Sequence, residues 1–68
     1  MDRLSHRRRV LKEQFGRDPA QVIYEQVYRG GKSFAEAAKP FDLDPSTAWR
    51  WAQEWRRELE SAAEAVAS

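Results

Sequence analysis

Counting on from Ser46 in steps of four, three and four residues reaches Arg50, Gln53 and Arg57. At 100° per residue these four side chains occupy a narrow sector of one helix. The sector offers a hydroxyl, a guanidinium, an amide and a second guanidinium. That set suits recognition more than bond making. A guanidinium binds guanine O6 and N7 bidentately, a glutamine amide matches adenine N6 and N7, and a serine hydroxyl takes a phosphate oxygen. Trp49 points sideways from the stripe, placed either to cover a helix junction or to press on a sugar or a thymine methyl. Glu54 and Glu58 flank the stripe and would repel phosphates. The bland alternative is a solvated face, because any amphipathic helix carries polar residues opposite its core.

A second group of charged residues lies near the start of the chain, where Arg7, Arg8 and Arg9 are joined by Arg3 and Lys12. Such a run can bind backbone phosphates or thread into a minor groove as an arm; it can equally be a basic helix face that aids solubility. Net charge is only +1, but residues 1–34 hold eight Lys or Arg against four Asp or Glu, and residues 35–68 hold four against seven. A basic front half on a near-neutral chain points to an anionic partner engaged by one part of the molecule.

Other chemistries find little support. The chain has no cysteine and one histidine, His6, which removes disulfides, thiolate zinc sites and cysteine nucleophiles. His6 sits in the basic run without co-ligands at metal spacing, as a surface histidine would. Gly31-Lys32-Ser33 resembles the end of a phosphate-binding loop, but Gln26 stands where that motif needs its first glycine, and a helix precedes it. No nucleophile, base and orienting group come together, so neither an enzyme nor a cofactor is expected. No apolar run approaches the ~20 residues of a membrane span, and the start lacks a signal-peptide core, so a cytoplasmic protein is expected.

Positioning the stripe falls to four helical pieces. Ser5 is expected to cap a first helix with Leu4, Leu11 and Phe15 on one face, stopped by Gly16. Asp18-Pro19 starts a second, with Gln21 placed to reach back to the cap. Ala20, Ile23, Tyr24 and Val27 recur at helical spacing until Gly30-Gly31. Ser33-Phe34-Ala35-Glu36 is a capping box opening a short third helix that must end near Lys39, because Pro40 follows. Asp44-Pro45 opens the longest helix, to the Glu60 region and beyond. No stretch alternates with period 2, so the fold class is all-α. Ala37, Phe41, Leu43, Ala48 and Trp51 are expected to form the inner face, with Ile23 and Val27 from the preceding helix.

At these residues the chain resembles known DNA-binding units. Ser46-Thr47-Ala48-Trp49-Arg50-Trp51 looks like the Ser-Thr-Leu-Tyr-Arg-Tyr element in the DNA-binding domains of serine invertases. Gly30-Gly31-Lys32-Ser33-Phe34-Ala35-Glu36-Ala37-Ala38 through Trp51 is similar to the N-terminal helix-turn-helix of insertion-sequence transposases. The resemblance covers roughly residues 19–60. It implies a homeodomain-like unit of three helices whose last helix enters the major groove, with Ser46, Thr47 and Arg50 at phosphate- or base-contacting places. Asp42 stands where these units usually have glycine, and Pro40 is unusual near the end of the first motif helix. The catalytic carboxylate domain of a transposase has no counterpart, so the resemblance implies the binding module alone.

Together these observations predict a basic N-terminal helix or arm over 1–17, a tri-helical domain over 18–60 and a helical extension over 61–68, its Ala-rich end open to fraying. The expected function is duplex DNA binding by a small regulator or nucleoprotein component of phage or mobile-element type. The alternative is a protein-interaction adaptor that keeps the fold and reads no DNA, favoured by the acidic second half. Ala48, Ala52, Trp55, Leu59, Ala62 and Val66 follow 4-3-4-3-4 spacing, a seam that predicts a homodimer.

Overall fold

Asp18 and Asp44 begin the two helices that carry the domain, as their Asp-Pro pairs predict. In the computed structural model, which describes residues 3–67 and the side chains of residues 5–65, four α-helices follow in order. They are α1 (Arg3–Phe15), α2 (Pro19–Tyr28), α3 (Phe34–Ala38) and α4 (Pro45–Ala67), and no strand occurs among the described residues. The side chains of Arg3, Leu4 and Val66 lie outside the described set.

Each start has a local cause. The Asp18 carboxylate accepts from the Ala20 N–H at 3.0 Å with Pro19 in the first turn, so an orphan donor is satisfied and φ is preset. Ser33 Oγ accepts from the Glu36 N–H at 3.2 Å and opens α3. Two expected caps differ. Ser5 lies inside α1, which is already helical at Arg3. Gln21 donates to Glu25 one turn onward, at 3.3 Å, and does not reach back.

The breaks are equally local. After α2, Gly31 takes a left-handed φ of +70°, and a Cβ on Gly30 would stand 2.7 Å from the Gln26 carbonyl oxygen. Those two requirements place glycine at both positions. Pro40 does end α3: the chain tightens into a 3₁₀ turn over Lys39–Phe41 and leaves it through Asp42, at φ 54°, ψ 45°. Aspartate occupies the left-handed region more readily than most residues, so the turn closes without glycine.

Five alanines surround one indole. Ala20, Ala37, Ala38, Ala48 and Ala52 are fully buried, and Trp51, 1% exposed, fills the space between α2, α3 and α4 with Ile23. Small side chains let the helix axes approach, and Trp51 is the largest fully buried side chain among them. Phe41 is buried as expected, while Leu43 and Val27 pack against the core from partly exposed positions. Leu11 brings α1 into the cluster. Phe15, at the end of α1, stays exposed but sets its ring edge-on to Phe41, centroids 5.2 Å apart.

Beyond Trp55, α4 leaves the core. Residues 56–65 are exposed along this stretch, which runs on as helix to Ala67. No helix among the described residues is long and apolar enough to cross a membrane.

Candidate nucleic-acid interface

The first turn of α4 is fixed by its own cap. Asp44 accepts from the Thr47 N–H at 3.3 Å and from the Ser46 hydroxyl at 2.7 Å. Hydrogen bonds from Thr47 and Ser46 hold the Asp44 carboxyl below the usual carboxylate range, so it stays charged. Ser46 therefore directs its O–H at Asp44, and only its oxygen lone pairs face outward. To donate to a phosphate this hydroxyl would have to turn away from Asp44. Thr47 is half-buried.

Farther along α4 the stripe is open. Arg50 and Arg57 are exposed, and neither forms an ion pair among the described residues. Two adjoining shallow depressions lie on this side. One is lined by Ser46, Thr47, Trp49 and Arg50, the other by Trp49, Arg50, Gln53, Glu54 and Arg57. Trp49 is 54% exposed and contributes to both. The indole buried in the core is Trp51, and Trp49 is not among the side chains packed against it.

Gln53 is held. Its Nε2 donates to the Tyr28 hydroxyl at 3.2 Å, across 25 residues of sequence. Tyr28 ends α2, and its ring is flanked by Tyr24 at 4.9 Å and Phe34 at 6.3 Å between centroids. Spacing along α4 identifies Gln53 but not Tyr28. The one signal for Tyr28 in the sequence is an aromatic one turn beyond Tyr24, and it says nothing of the hydroxyl's destination.

The three early arginines part company. All lie on α1, so they belong to a helix and not to a threaded arm. Arg8 turns inward: Nε and Nη2 clasp the two Asp18 oxygens at 2.9 and 2.7 Å, Nη1 reaches Glu54 at 3.2 Å, and Nη2 also reaches Glu58 at 2.9 Å. Its side chain is 16% exposed and that of Asp18 12%. Burial, the largest single influence on Asp18, pushes its carboxyl up. The Arg8 guanidinium and the Ala20 N–H outweigh burial and hold the group below the usual range. Hydrogen bonding to Asp18 likewise raises the already high pKa of Arg8, against desolvation. Arg8, expected among the phosphate contacts, is thus committed to ion pairing within the fold, because three carboxylates converge on it.

Arg7 remains exposed and donates from Nη2 to the Asp42 carbonyl at 3.1 Å, which sets its charge beside the turn before α4. Arg9 is exposed and lines a depression with Ser5, Arg8, Lys12 and Asp18. Among the described residues no cluster of His, Cys, Asp and Glu could hold a metal ion. No family model, curated protein or solved structure matches the chain.

Proposed function

We propose that this chain is a non-catalytic, cytoplasmic, sequence-specific duplex DNA-binding protein of the helix-turn-helix kind. In this proposal α3, the Asp42 turn and α4 form the motif, and α4 is its recognition helix. Arg50, Gln53 and Arg57 read base edges, Trp49 presses on sugar or a thymine methyl, and Ser46 and Thr47 lie nearest the backbone. Arg7 and Arg9 contact phosphates.

The observation that carries the proposal is the open stripe on α4, where Arg50 and Arg57 stay exposed and outside every ion pair among the described residues. Free guanidiniums line one sector, while the two carboxylates beside them, Glu54 and Glu58, are met by Arg8. Carboxylates facing a phosphate backbone oppose binding, and Arg8, with one charge shared among Asp18, Glu54 and Glu58, offsets that repulsion in part.

The test is equilibrium binding to a random duplex across a salt series. Log K should fall linearly with log salt, at roughly 0.9 per phosphate neutralised. Absence of salt-dependent binding would instead favour a protein-interaction adaptor. A homodimer belongs to the same proposal. Ala48 and Ala52 are used inside the domain and Trp55 is half-buried, which leaves Leu59 and Ala62 exposed for a second copy. Analytical ultracentrifugation at high-micromolar protein should give a dimer, and a twofold complex would read half-sites about one helical turn apart or a multiple of it.

A further inference from the structure

We infer that Tyr28 is a positioning residue for base recognition: its hydroxyl holds the Gln53 amide so that α4 selects adenine at one position of its site. This rests on the DNA-binding proposal above and extends it to a residue outside the recognition helix.

A glutamine side chain on an exposed helix face samples many rotamers, and a base contact must first halt that motion. Here one hydrogen bond restrains that motion before any ligand arrives, although Tyr28 is itself 50% exposed. The Gln53 Nε2 donates to the Tyr28 hydroxyl at 3.2 Å, and Gln53 is half-buried, unlike Arg50 and Arg57 on either side of it. The tether is itself braced. Tyr28 lies 4.9 Å from the Tyr24 ring and edge-on to Phe34 at 6.3 Å, so α2 and α3 both fix its position.

The chemistry left over is selective. A glutamine amide carries two N–H donors and a carbonyl with two lone pairs. In this arrangement Tyr28 takes the N–H anti to Oε1, which leaves the syn N–H and the Oε1 acceptor side by side. That pair complements adenine, whose major-groove edge presents the N7 acceptor next to the N6 amino donor. Guanine presents two acceptors there, so Oε1 would face O6 without a proton between them. Preorganising the amide therefore favours adenine over guanine, and not duplex DNA in general.

The experiment begins with the preferred site from selection on random duplexes, in which each adenine in turn is replaced by 7-deazaadenine, which lacks N7. Wild-type protein should lose affinity about 5- to 50-fold at one adenine, because the Gln53 N–H is left without its N7 acceptor. Tyr28→Phe keeps the ring and removes the hydroxyl. It should shrink that ratio to about 3-fold or less, with the salt slope, the affinity for random duplex and the selectivity at the base read by Arg50 unchanged. Gln53→Ala should abolish the ratio, and the double variant should match Gln53→Ala, because Tyr28 acts through Gln53. In the free protein, the Gln53 side-chain amide protons should have resolved shifts that move toward exposed-glutamine values in Tyr28→Phe. A Tyr28→Phe variant with the wild-type 7-deazaadenine ratio overturns the positioning role while leaving DNA binding intact. Wild-type protein that binds no duplex overturns both.

Discussion

Arg8→Met should cost this protein a large part of its stability at neutral pH and almost none in acid. Methionine keeps the apolar stem of Arg8 against the helix surface and removes the guanidinium. Asp18 then loses a bidentate partner at 2.7 and 2.9 Å while remaining 12% exposed, with the Ala20 N–H as its remaining donor. Breaking a fully buried pair from one side costs about 3–5 kcal/mol; this pair is part-buried and Asp18 keeps its cap, which brings the cost to about 2 kcal/mol. Glu54 and Glu58, 40% and 52% exposed, are well screened, so each adds at most about 0.5 kcal/mol. A loss of about 2 kcal/mol is a large fraction of the roughly 3–10 kcal/mol that a chain of this size holds. At about 4–8 °C per kcal/mol, Tm should fall by roughly 8–16 °C at pH 7.

The pH dependence follows from the lowered carboxyl of Asp18. A group whose folded pKa lies below its unfolded value stabilises above the unfolded value, near 3.9, and loses that contribution as pH falls through the folded one. In Arg8→Met, burial acts on Asp18 against only the Ala20 N–H and the Lys12 charge, so the carboxyl protonates more readily and the unpaired charge disappears in acid. Circular dichroism melts at pH 7 and below pH 3 measure both quantities. A Tm within about 3 °C of wild type at pH 7 corresponds to less than about 1 kcal/mol and would refute the clamp. A deficit that persists undiminished below pH 3 would refute its electrostatic origin.

Trp51→Ala should destabilise by about 3–5 kcal/mol and leave little folded protein at 37 °C by thermal melt, since it empties the centre of the core. Asp42→Gly should raise Tm by a few degrees, about 0.5–1 kcal/mol, by relieving a left-handed residue, whereas Asp42→Val should lower it. Arg50→Ala should cost about 1–3 kcal/mol against the preferred site and relax selectivity at one base position, read by competition binding. Arg9→Ala should weaken all duplexes alike and flatten the salt slope by about 0.9 if it meets one phosphate, with Tm unchanged.

Much of this architecture depends on neighbours in sequence and is legible there. A cap needs a carboxylate or hydroxyl within three residues of the N–H it accepts, so Asp18, Ser33 and Asp44 announce their helices. Pro40 and Gly30-Gly31 mark breaks for steric reasons confined to one turn of chain. The buried face of α4 follows from periodicity alone, which is why the spacing of Ala48 and Trp51 suffices to mark them as core. The open stripe of Arg50 and Arg57 is the complement of that face.

Tertiary structure alone decided how the charged and polar residues are spent. Arg7, Arg8 and Arg9 are identical in type and adjacent in sequence, yet one donates to a turn carbonyl, one pairs with carboxylates 10, 46 and 50 residues away, and one has no such bond among those described. Successive helical residues differ by 100° in direction, so which arginine meets Asp18, Glu54 and Glu58 depends on how α1 is rotated against α2 and α4. The Tyr28–Gln53 bond depends in the same way on where the end of α2 passes α4. Composition and local spacing name the groups available, but a hydrogen bond a few ångströms long between distant residues exists only once helix packing has set their distance and direction.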